Sequence, residues 1–154
     1  MPVSPVPHGY HTITPYLIID GADKALAWYT QAFTARELMR LPAPGGKIGH
    51  AEIEIGDSRI MLADESPDHH AKAPGAFGGS PVTLLLYVPD VDATIAKAEA
   101  AGATITAQPE DKFYGDRMGS LRDPFGHTWH ISTHIEDVTT EEIQRRMAAM
   151  FGKE

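Results

Sequence analysis

The chain has 154 residues, of which 42% are hydrophobic and 22% charged, a composition typical of a soluble globular domain or of two small halves that share a core. Its formal net charge of −8 disfavours nucleic acids and anionic membranes as partners, because like charges repel. It has no cysteine, which excludes disulfides, zinc–thiolate sites and thiol nucleophiles.

Residues 1–11 contain three prolines but neither an apolar block nor a basic start. They are predicted to form a flexible N-terminal tail and not a secretory signal. No apolar run elsewhere approaches the roughly 20 residues that a membrane-spanning helix needs. With neither an export signal nor a membrane span in the sequence, we expect a cytoplasmic protein.

The first half of the chain predicts a strand, a helix and three further strands. Residues 22–33 carry apolar side chains on one face at the three-to-four spacing of a helix. Because proline has no N–H to pair, Pro15 predicts that the first strand lies at the edge of its sheet. Strands are predicted at residues 13–19, 37–41, 48–55 and 59–63. Residues 65–81 lack periodicity and are predicted to be a connector, which could act as a lid.

The second half repeats this order of patterns at an offset of 69 residues, so that residues 14–64 match residues 83–133. A helix is predicted at residues 91–101, with Asp90 or Asp92 as its N-cap and Gly102 just after its end. The strands of this copy are predicted at residues 82–88, 104–107, 117–122 and 127–133.

Two further signals lie near the end of the chain. The run Asp123-Pro124-Phe125-Gly126 has the residue types of a β-turn between the last two strands. Thr139 and Glu142 form a capping-box pattern, which predicts a C-terminal helix within residues 135–154. We expect the apolar side chains of this helix to pack on the domain or on a partner subunit.

Internal duplication determines the predicted architecture. Two copies of a strand-helix-strand-strand-strand unit predict an α+β fold, in which two βαβββ repeats form curved mixed sheets around a shared cleft and a C-terminal helix follows. The domain is predicted to span residues 12–134, with the repeats at residues 12–64 and 82–134.

The duplication, the pair Trp28-Tyr29 near the end of the first helix, and the ending Asp123-Pro124-Phe125-Gly126-His127-x-Trp129 are similar to one family. Over about residues 12–134 the chain resembles the vicinal oxygen chelate superfamily, which contains glyoxalase I, bleomycin-resistance proteins, fosfomycin-resistance enzymes and extradiol dioxygenases. The ending resembles that of one bacterial branch. The resemblance implies the doubled βαβββ fold, usually as a homodimer.

The resemblance also implies four positions at which metal enzymes of this family place their ligands. These positions are Thr14, Met61, Thr83 and His130. Divalent metals prefer imidazole nitrogen and carboxylate oxygen, and only His130 supplies such an atom. We therefore expect no metal or other cofactor. If a divalent metal does bind, its expected ligands are His50, Glu52 and His130.

Strand alternation predicts which side chains line the cleft. Ala51, Ile53 and Ile55 are expected to face the helix, so the side chains that alternate with them, such as His50 and Glu52, face the cleft. The predicted ligand-binding residues are Tyr16, His50, Glu52, Met61, Arg117 and His130. A mostly apolar cleft with a few polar anchors is typical of a small-molecule pocket.

Each of these residues also has a structural interpretation. His50 and Glu52 could pair with each other or with Arg59 on a solvated strand, and Tyr16 could serve packing alone. His130 could be an interior imidazole bonded to a backbone carbonyl. Arg117 could clamp an anionic group of a ligand, or it could hold its loop. Its structural partners would then be Asp116, Asp123 or Glu110.

Three functions remain open on the sequence. The first is a homodimeric protein that binds a small, partly hydrophobic molecule without metal chemistry, and it has no nucleic-acid or membrane partner. The second is a metal-dependent lyase or isomerase of the glyoxalase type with relocated ligands. The third is an interaction module whose cleft is filled by its own side chains and whose C-terminal helix docks a partner.

Overall fold

The computed structural model describes residues 2–152 and divides the chain into two compact units, with the boundary between Ser80 and Pro81. The elements of the first unit are β1 (Tyr16–Ile19), α1 (Ala22–Phe33), β2 (Arg36–Ala43), β3 (Lys47–Ile55) and β4 (Ser58–Asp64). Those of the second unit are β5 (Thr83–Tyr87), α2 (Val91–Ala100), β6 (Thr104–Asp111), β7 (Asp116–Arg122), β8 (Thr128–His134) and α3 (Thr140–Phe151).

Both units contain the same four-stranded mixed sheet. The strand order is β1-β4-β3-β2 in the first unit and β5-β8-β7-β6 in the second. The first strand of each repeat lies at an edge, parallel to the last strand, and the other neighbours are antiparallel. The α+β fold with two βαβββ repeats and a C-terminal helix is confirmed. The shared cleft stays a prediction.

The sequence offset is preserved in the pairing of the strands. Tyr16 lies opposite Met61 in the first sheet, and Leu85 lies opposite His130 in the second. Both members of the second pair follow those of the first by 69 residues. The duplication therefore holds at the level of single strand pairs, and it makes Met61 and His130 equivalent positions.

In each unit the helix covers one face of the sheet with the apolar side chains that its periodicity predicts. In the first unit, Leu26 and Tyr29 of α1 are buried together with Ile53 of β3 and Leu62 of β4. Burial of one such side chain contributes about 1.5–3 kcal/mol to folding. The core residues of the second unit include Val91, Ile95, Leu121, Trp129 and Ile131. One face of each sheet is thus used for the core.

Side chains at equivalent positions of β4 and β8 hold the starts of the two helices. The buried Asp64 accepts hydrogen bonds from the backbone N–H groups of Gly21 (3.0 Å), Ala22 (2.9 Å) and Ile48 (2.7 Å). Thr133 accepts one from the N–H of Val91 at 2.9 Å. Because the first N–H groups of a helix have no partner within the helix, these side chains supply the missing acceptors.

The Asp-Pro-Phe-Gly-His-x-Trp ending is a structural motif in this chain. The buried Asp123 accepts hydrogen bonds from the backbone N–H groups of Phe125 (2.9 Å) and His127 (3.1 Å). It also accepts one from the indole Nε1 of Trp129 at 2.9 Å. The N–H of Gly126 donates to the Asp123 carbonyl, which closes the predicted turn. A single carboxylate therefore joins the turn to the core tryptophan.

The structure changes several predicted boundaries. The first strand begins at Tyr16 and not at residue 13; Pro15 has no N–H to pair, although its carbonyl accepts the N–H of Met61 at 3.0 Å. β6 was predicted to end at residue 107 but continues to Asp111 with a register shift between Ala107 and Glu110, which an edge strand tolerates around Pro109. Other signals are confirmed: the Asp90 side chain caps α2 through the N–H of Ala93, and Gly102 follows with φ +108°.

The connector is locally ordered. It contains two short 3-10 helices, Pro67–His69 and Pro74–Phe77. Ser66 pairs with Ala71, and the carboxylate of Glu65 accepts a hydrogen bond from the N–H of Ala73 at 2.8 Å. The segment is therefore folded on itself, and its use as a lid stays a prediction.

The C-terminal helix begins as its sequence predicts, but most of its apolar side chains are exposed. The Thr139 hydroxyl accepts a hydrogen bond from the N–H of Glu142 at 3.2 Å. Ile143 is half-buried, but Met147, Met150 and Phe151 are exposed, so most of these side chains do not pack on the second unit in the way expected. Packing against a partner subunit, and with it the homodimer, stays a prediction. No helix within residues 2–152 is both long and apolar enough to cross a membrane.

Candidate functional site

Four of the six predicted site residues lie on one face of the first sheet, the face opposite α1, which we call the open face. Tyr16, His50, Glu52 and Met61 are brought together by strand register. Glu52 lies beside Met61 on one side and beside Met39 on the other, and Met61 lies beside Tyr16. The alternation in β3 places Ala51, Ile53 and Ile55 in the core, so that His50 and Glu52 face away from it.

A chain of hydrogen bonds connects the polar side chains of the open face. Tyr16 Oη lies 2.8 Å from His50 Nδ1, and His50 Nε2 lies 2.8 Å from Glu52 Oε2. Because an ionised carboxylate only accepts hydrogen bonds, this contact selects the tautomer in which Nε2 carries the proton and Nδ1 accepts the Tyr16 hydroxyl. The predicted pairing of His50 with Glu52 is therefore present, and Tyr16 extends it.

The N-terminal segment adds a residue that the sequence interpretation missed. The Tyr10 hydroxyl donates to Glu52 Oε1, and the guanidinium of Arg59 lies 5.1 Å from the centre of the Tyr10 ring. Arg59 Nη1 also donates to the backbone carbonyl of His8 at 3.2 Å. The sequence predicted only a flexible tail here. It did not predict these contacts, because no local pattern connects Tyr10 with Glu52, which is 42 residues away.

The hydrogen bonds of the open face define its charges. Hydrogen bonds from Tyr10 and from His50 hold the pKa of Glu52 below its ordinary value. Burial and the hydrogen bond to Glu52 raise the pKa of Tyr10 to about 12, and burial and the charge of Glu52 raise the pKa of Tyr16. At neutral pH, Glu52 is therefore an ionised acceptor beside two protonated phenols. Arg59 ion-pairs with Glu54 at 3.3 Å and not with His50 or Glu52.

His130 lies on the corresponding face of the second sheet, away from α2. It is half-buried, and its Nδ1 lies 2.6 Å from the hydroxyl oxygen of Ser120. The structural interpretation expected a backbone carbonyl as its partner, whereas the structure provides a side chain. By the sheet register, Ser120 and His130 correspond to Glu52 and Met61 of the first unit.

A second polar cluster in this unit surrounds the buried Asp116. Its carboxylate accepts hydrogen bonds from Tyr87 (3.2 Å) and Ser132 (3.4 Å), and lies 2.8 Å from His134 Nδ1. His134 Nε2 lies 2.7 Å from Asp137. Asp116 and Asp137 together raise the pKa of His134. The alternation of β8, which puts Ser132 and His134 on the face of His130, is the signal that could have predicted this cluster.

Arg117 lies on the opposite face of the second sheet, the face covered by α2. Its guanidinium makes two hydrogen bonds to Asp92 of α2, at 2.7 and 2.9 Å, and a third to Asp111 of β6 at 3.1 Å. This geometry favours the structural interpretation over a ligand clamp. The partners are not Asp116, Asp123 or Glu110, because the parity of β7 points Arg117 to the helix side together with the buried Leu121.

The residues at the four positions that the resemblance implies as metal ligands have few of the donor atoms that a divalent metal prefers. The Thr14 hydroxyl donates to the carbonyl of His11, and Thr83 pairs with the hydroxyl of Thr128. Threonine hydroxyls and a methionine sulfur are poor substitutes for imidazole and carboxylate around a divalent cation. Within residues 2–152, no group of three or more His, Asp and Glu side chains is arranged to hold a metal ion.

Comparison with known proteins identifies the family of the chain. The model of the glyoxalase/bleomycin resistance protein/dioxygenase superfamily matches residues 10–131. The chain belongs to this superfamily. The match includes the whole first sheet and the second sheet up to residue 131 in β8, so the resemblance in the sequence is confirmed at the level of the superfamily.

Relatives in the superfamily cover most of the chain. An uncharacterized protein of Mycobacterium tuberculosis is 41% identical over 140 residues, which are 89% of this chain and 82% of that protein. An uncharacterized protein of Arabidopsis thaliana is 31% identical over 129 residues, 77% of this chain and 74% of that protein. The crystal structure of TioX from Micromonospora sp. ML1 is similar with a TM-score of 0.64 and 28% identity, and covers 81% of this chain and 99% of TioX.

Proposed function

We propose that the protein binds a small, partly hydrophobic molecule on the open face of the first unit, and does so without the metal centre of the superfamily's metal enzymes. The observation that carries this proposal is the connected chain Tyr16–His50–Glu52 in the middle of a sheet face that the core does not use. A polar chain flanked by Met39, Met61 and the Tyr16 ring has the composition typical of a small-molecule site, apolar surface with a few polar anchors.

Apolar side chains on both sides of Glu52 supply the surface for the hydrophobic part of the ligand. Met61 and Met39 flank Glu52 in the sheet, and Tyr16 lies next to Met61. Met39 and Tyr16 remain 38% and 47% exposed, so both have apolar surface that a ligand can cover. Methionine side chains adapt to different ligand shapes because they are unbranched and flexible.

Glu52 determines which polar groups a ligand can present to the open face. As an ionised carboxylate, Glu52 accepts hydrogen bonds and repels anions, and the chain as a whole carries a net charge of −8. The ligand therefore presents a hydroxyl, amide or ammonium donor to Glu52, whereas carboxylate and phosphate ligands are disfavoured. Since His50 holds the other oxygen of Glu52, the acceptor keeps a defined orientation.

The test compares three probes that share one ring: benzylamine, benzyl alcohol and benzoate. Titrations followed by amide chemical shifts in two-dimensional NMR are expected to show benzylamine and benzyl alcohol shifting the amides of His50 and Glu52, and benzoate leaving them unchanged. In Glu52→Gln, the affinity for benzylamine is expected to fall about tenfold, because a charge-assisted hydrogen bond is worth about 1.5–3 kcal/mol.

Glu37→Gln is the matched control. Glu37 is an exposed carboxylate of β2 that ion-pairs with Arg40, so its loss leaves the open face intact. Shifts that map away from His50 and Glu52, or an equal response of the Glu37 and Glu52 variants, would contradict the proposal.

The alternative function is a metal-dependent lyase or isomerase of the glyoxalase type with relocated ligands. The contact between His50 and Glu52 is the observation in its favour, because both are suitable ligands and they lie together. Metal analysis of protein purified without chelators distinguishes the two. One tightly held divalent ion per chain, lost in Glu52→Gln, would support the alternative and remove the metal-free proposal.

A further inference from the structure

The segment His8–Tyr10 already occupies the acceptor that the proposed ligand uses. We infer that this segment is a displaceable strap: the Tyr10 phenol is an internal occupant of the Glu52 acceptor, and a ligand binds when its own donor replaces that phenol. This inference rests on the proposed function, because it concerns access to the same carboxylate.

The contacts of the strap are directed at the open face. Tyr10 donates to Glu52 Oε1 while His50 holds Oε2, so both oxygens of this carboxylate have a partner when the strap is closed. Arg59 also contacts the strap. Its guanidinium lies over the Tyr10 ring, and it donates a hydrogen bond to the carbonyl of His8. The closed strap therefore takes one acceptor position of Glu52 Oε1, and a ligand donor gains that position when Tyr10 moves.

The anchoring of the strap is confined to these few residues. Val3 before it and Ile13 after it are 90% and 87% exposed, and Val6 nearby is half-buried. The strap belongs to no helix or strand, so its departure breaks no sheet pairing. Segments held by few contacts open at low free energy compared with the core, and the strap has this character.

Gly9 shows how closely the closed strap fits. Its φ is +84°, a left-handed conformation that other residues adopt only with strain. A side-chain carbon at this position would overlap the guanidinium of Arg59. Gly9 itself makes none of the polar contacts with Glu52, so a substitution here weakens the closed strap without changing the acceptor.

The strap lowers the apparent affinity of any ligand for Glu52. When the binding-competent state is only a fraction of the population, the apparent dissociation constant increases by the inverse of that fraction. Variants that open the strap are therefore expected to bind more tightly than the wild type. A strap with a purely structural role would give variants that bind equally well or less well.

The experiment uses p-cresol, which has the structure of the tyrosine side chain. It is titrated into the wild type and into Tyr10→Ala, with the amides of His50 and Glu52 as the NMR readout. We expect Tyr10→Ala to bind p-cresol at least tenfold more tightly than the wild type. Toluene, which lacks the hydroxyl, is expected to bind the variant more weakly than p-cresol, because it cannot donate to Glu52.

Two further variants make the test specific. Tyr87→Ala is the matched control, because it also removes a phenol that donates to a carboxylate, in this case Asp116 of the second unit. It is expected to leave p-cresol binding at Glu52 unchanged. Gly9→Ala retains Tyr10 and is expected to increase the affinity for p-cresol about fivefold, which keeps the inference testable if Tyr10→Ala does not fold.

The outcomes separate the strap from the proposed function. Equal p-cresol binding at Glu52 in the wild type, Tyr10→Ala and Gly9→Ala overturns the strap and leaves the proposed function standing. Absence of p-cresol and benzylamine binding at Glu52 in all three proteins overturns both. Tighter binding in the two strap variants only, with the Tyr87 control unchanged, supports the inference.

Discussion

Replacing Gly115 with alanine is expected to destabilise the second unit by about 3 kcal/mol or more, the range of a strained backbone combined with a steric clash. Gly115 has φ +101°, and its carbonyl accepts hydrogen bonds from the N–H groups of Ile135 (2.9 Å) and Glu136 (3.0 Å). An added side-chain carbon would overlap the carbonyl oxygen of Glu136 and lie 3.0 Å from Val138.

The steric clash lies in the segment that connects β8 with α3. Because the tightest of these contacts is with the backbone of Glu136, just after β8, relief requires that this segment move away and lose both hydrogen bonds to Gly115. We expect the amides of Ile135 and Glu136 to exchange with deuterium at least tenfold faster in Gly115→Ala. Urea denaturation measures the loss of global stability.

Gly75→Ala is the matched control for this substitution. Gly75 has no neighbouring atom within 4 Å of an added side-chain carbon, and its φ lies outside the left-handed region. It is expected to change the free energy of unfolding by less than about 1 kcal/mol. Equal denaturation midpoints for the two variants would show that Gly115 has no special steric role.

Replacing Asp64 with alanine is expected to cost about 3 kcal/mol of stability, since three backbone N–H groups lose their acceptor and each buried unpaired group costs about 1–3 kcal/mol. These groups belong to Gly21, Ala22 and Ile48, so the loss affects the start of α1 and the start of β3 together. Asp20→Ala, which removes an exposed carboxylate at the end of β1, is the control and is expected to be nearly neutral.

The Asp64 effect is also expected to depend on pH. Burial alone raises the pKa of Asp64, but the hydrogen bonds from Ala22, Ile48 and Gly21 outweigh it and leave the pKa below its ordinary value. A carboxyl whose pKa is lower in the folded state stabilises the protein above its unfolded pKa of about 3.9, and this contribution is lost as the pH falls through the folded pKa.

Urea denaturation at several pH values checks this expectation. The difference in stability between the wild type and Asp64→Ala is expected to be constant from pH 5 to 7 and to decrease below about pH 4, where Asp64 of the unfolded chain takes up a proton before that of the folded protein does. A difference that stayed constant down to pH 2, or that increased on acidification, would contradict the role of the ionised carboxylate.

Most of the fold could be predicted because its signals are local. The helical spacing of residues 22–33 predicted α1 with the bounds that the structure has, and the alternation in β3 predicted that His50 and Glu52 face away from the core. The ends of β1 and β6 were less accurate, since pairing at an edge strand depends on neighbours that the sequence does not show.

The candidate site was predictable only in part, for a related reason. Parity along a strand predicts the face of a side chain, and it places Tyr16 and Met61 beside Glu52 once the register is known. It does not predict hydrogen-bond partners. For Arg117, the parity of β7 indicates the helix side, where Leu121 also lies, but it does not indicate the ion pair with Asp92.

The sequence by itself determined the doubled βαβββ order, the offset of 69 residues and the face on which each strand residue lies, because hydrophobic periodicity is recorded in adjacent residues. Only the tertiary structure decided that Tyr10 binds Glu52 and that Arg117 binds Asp92, which are 42 and 25 residues apart. Such pairs form where folding brings distant segments together, and their geometry depends on the packing of the whole unit.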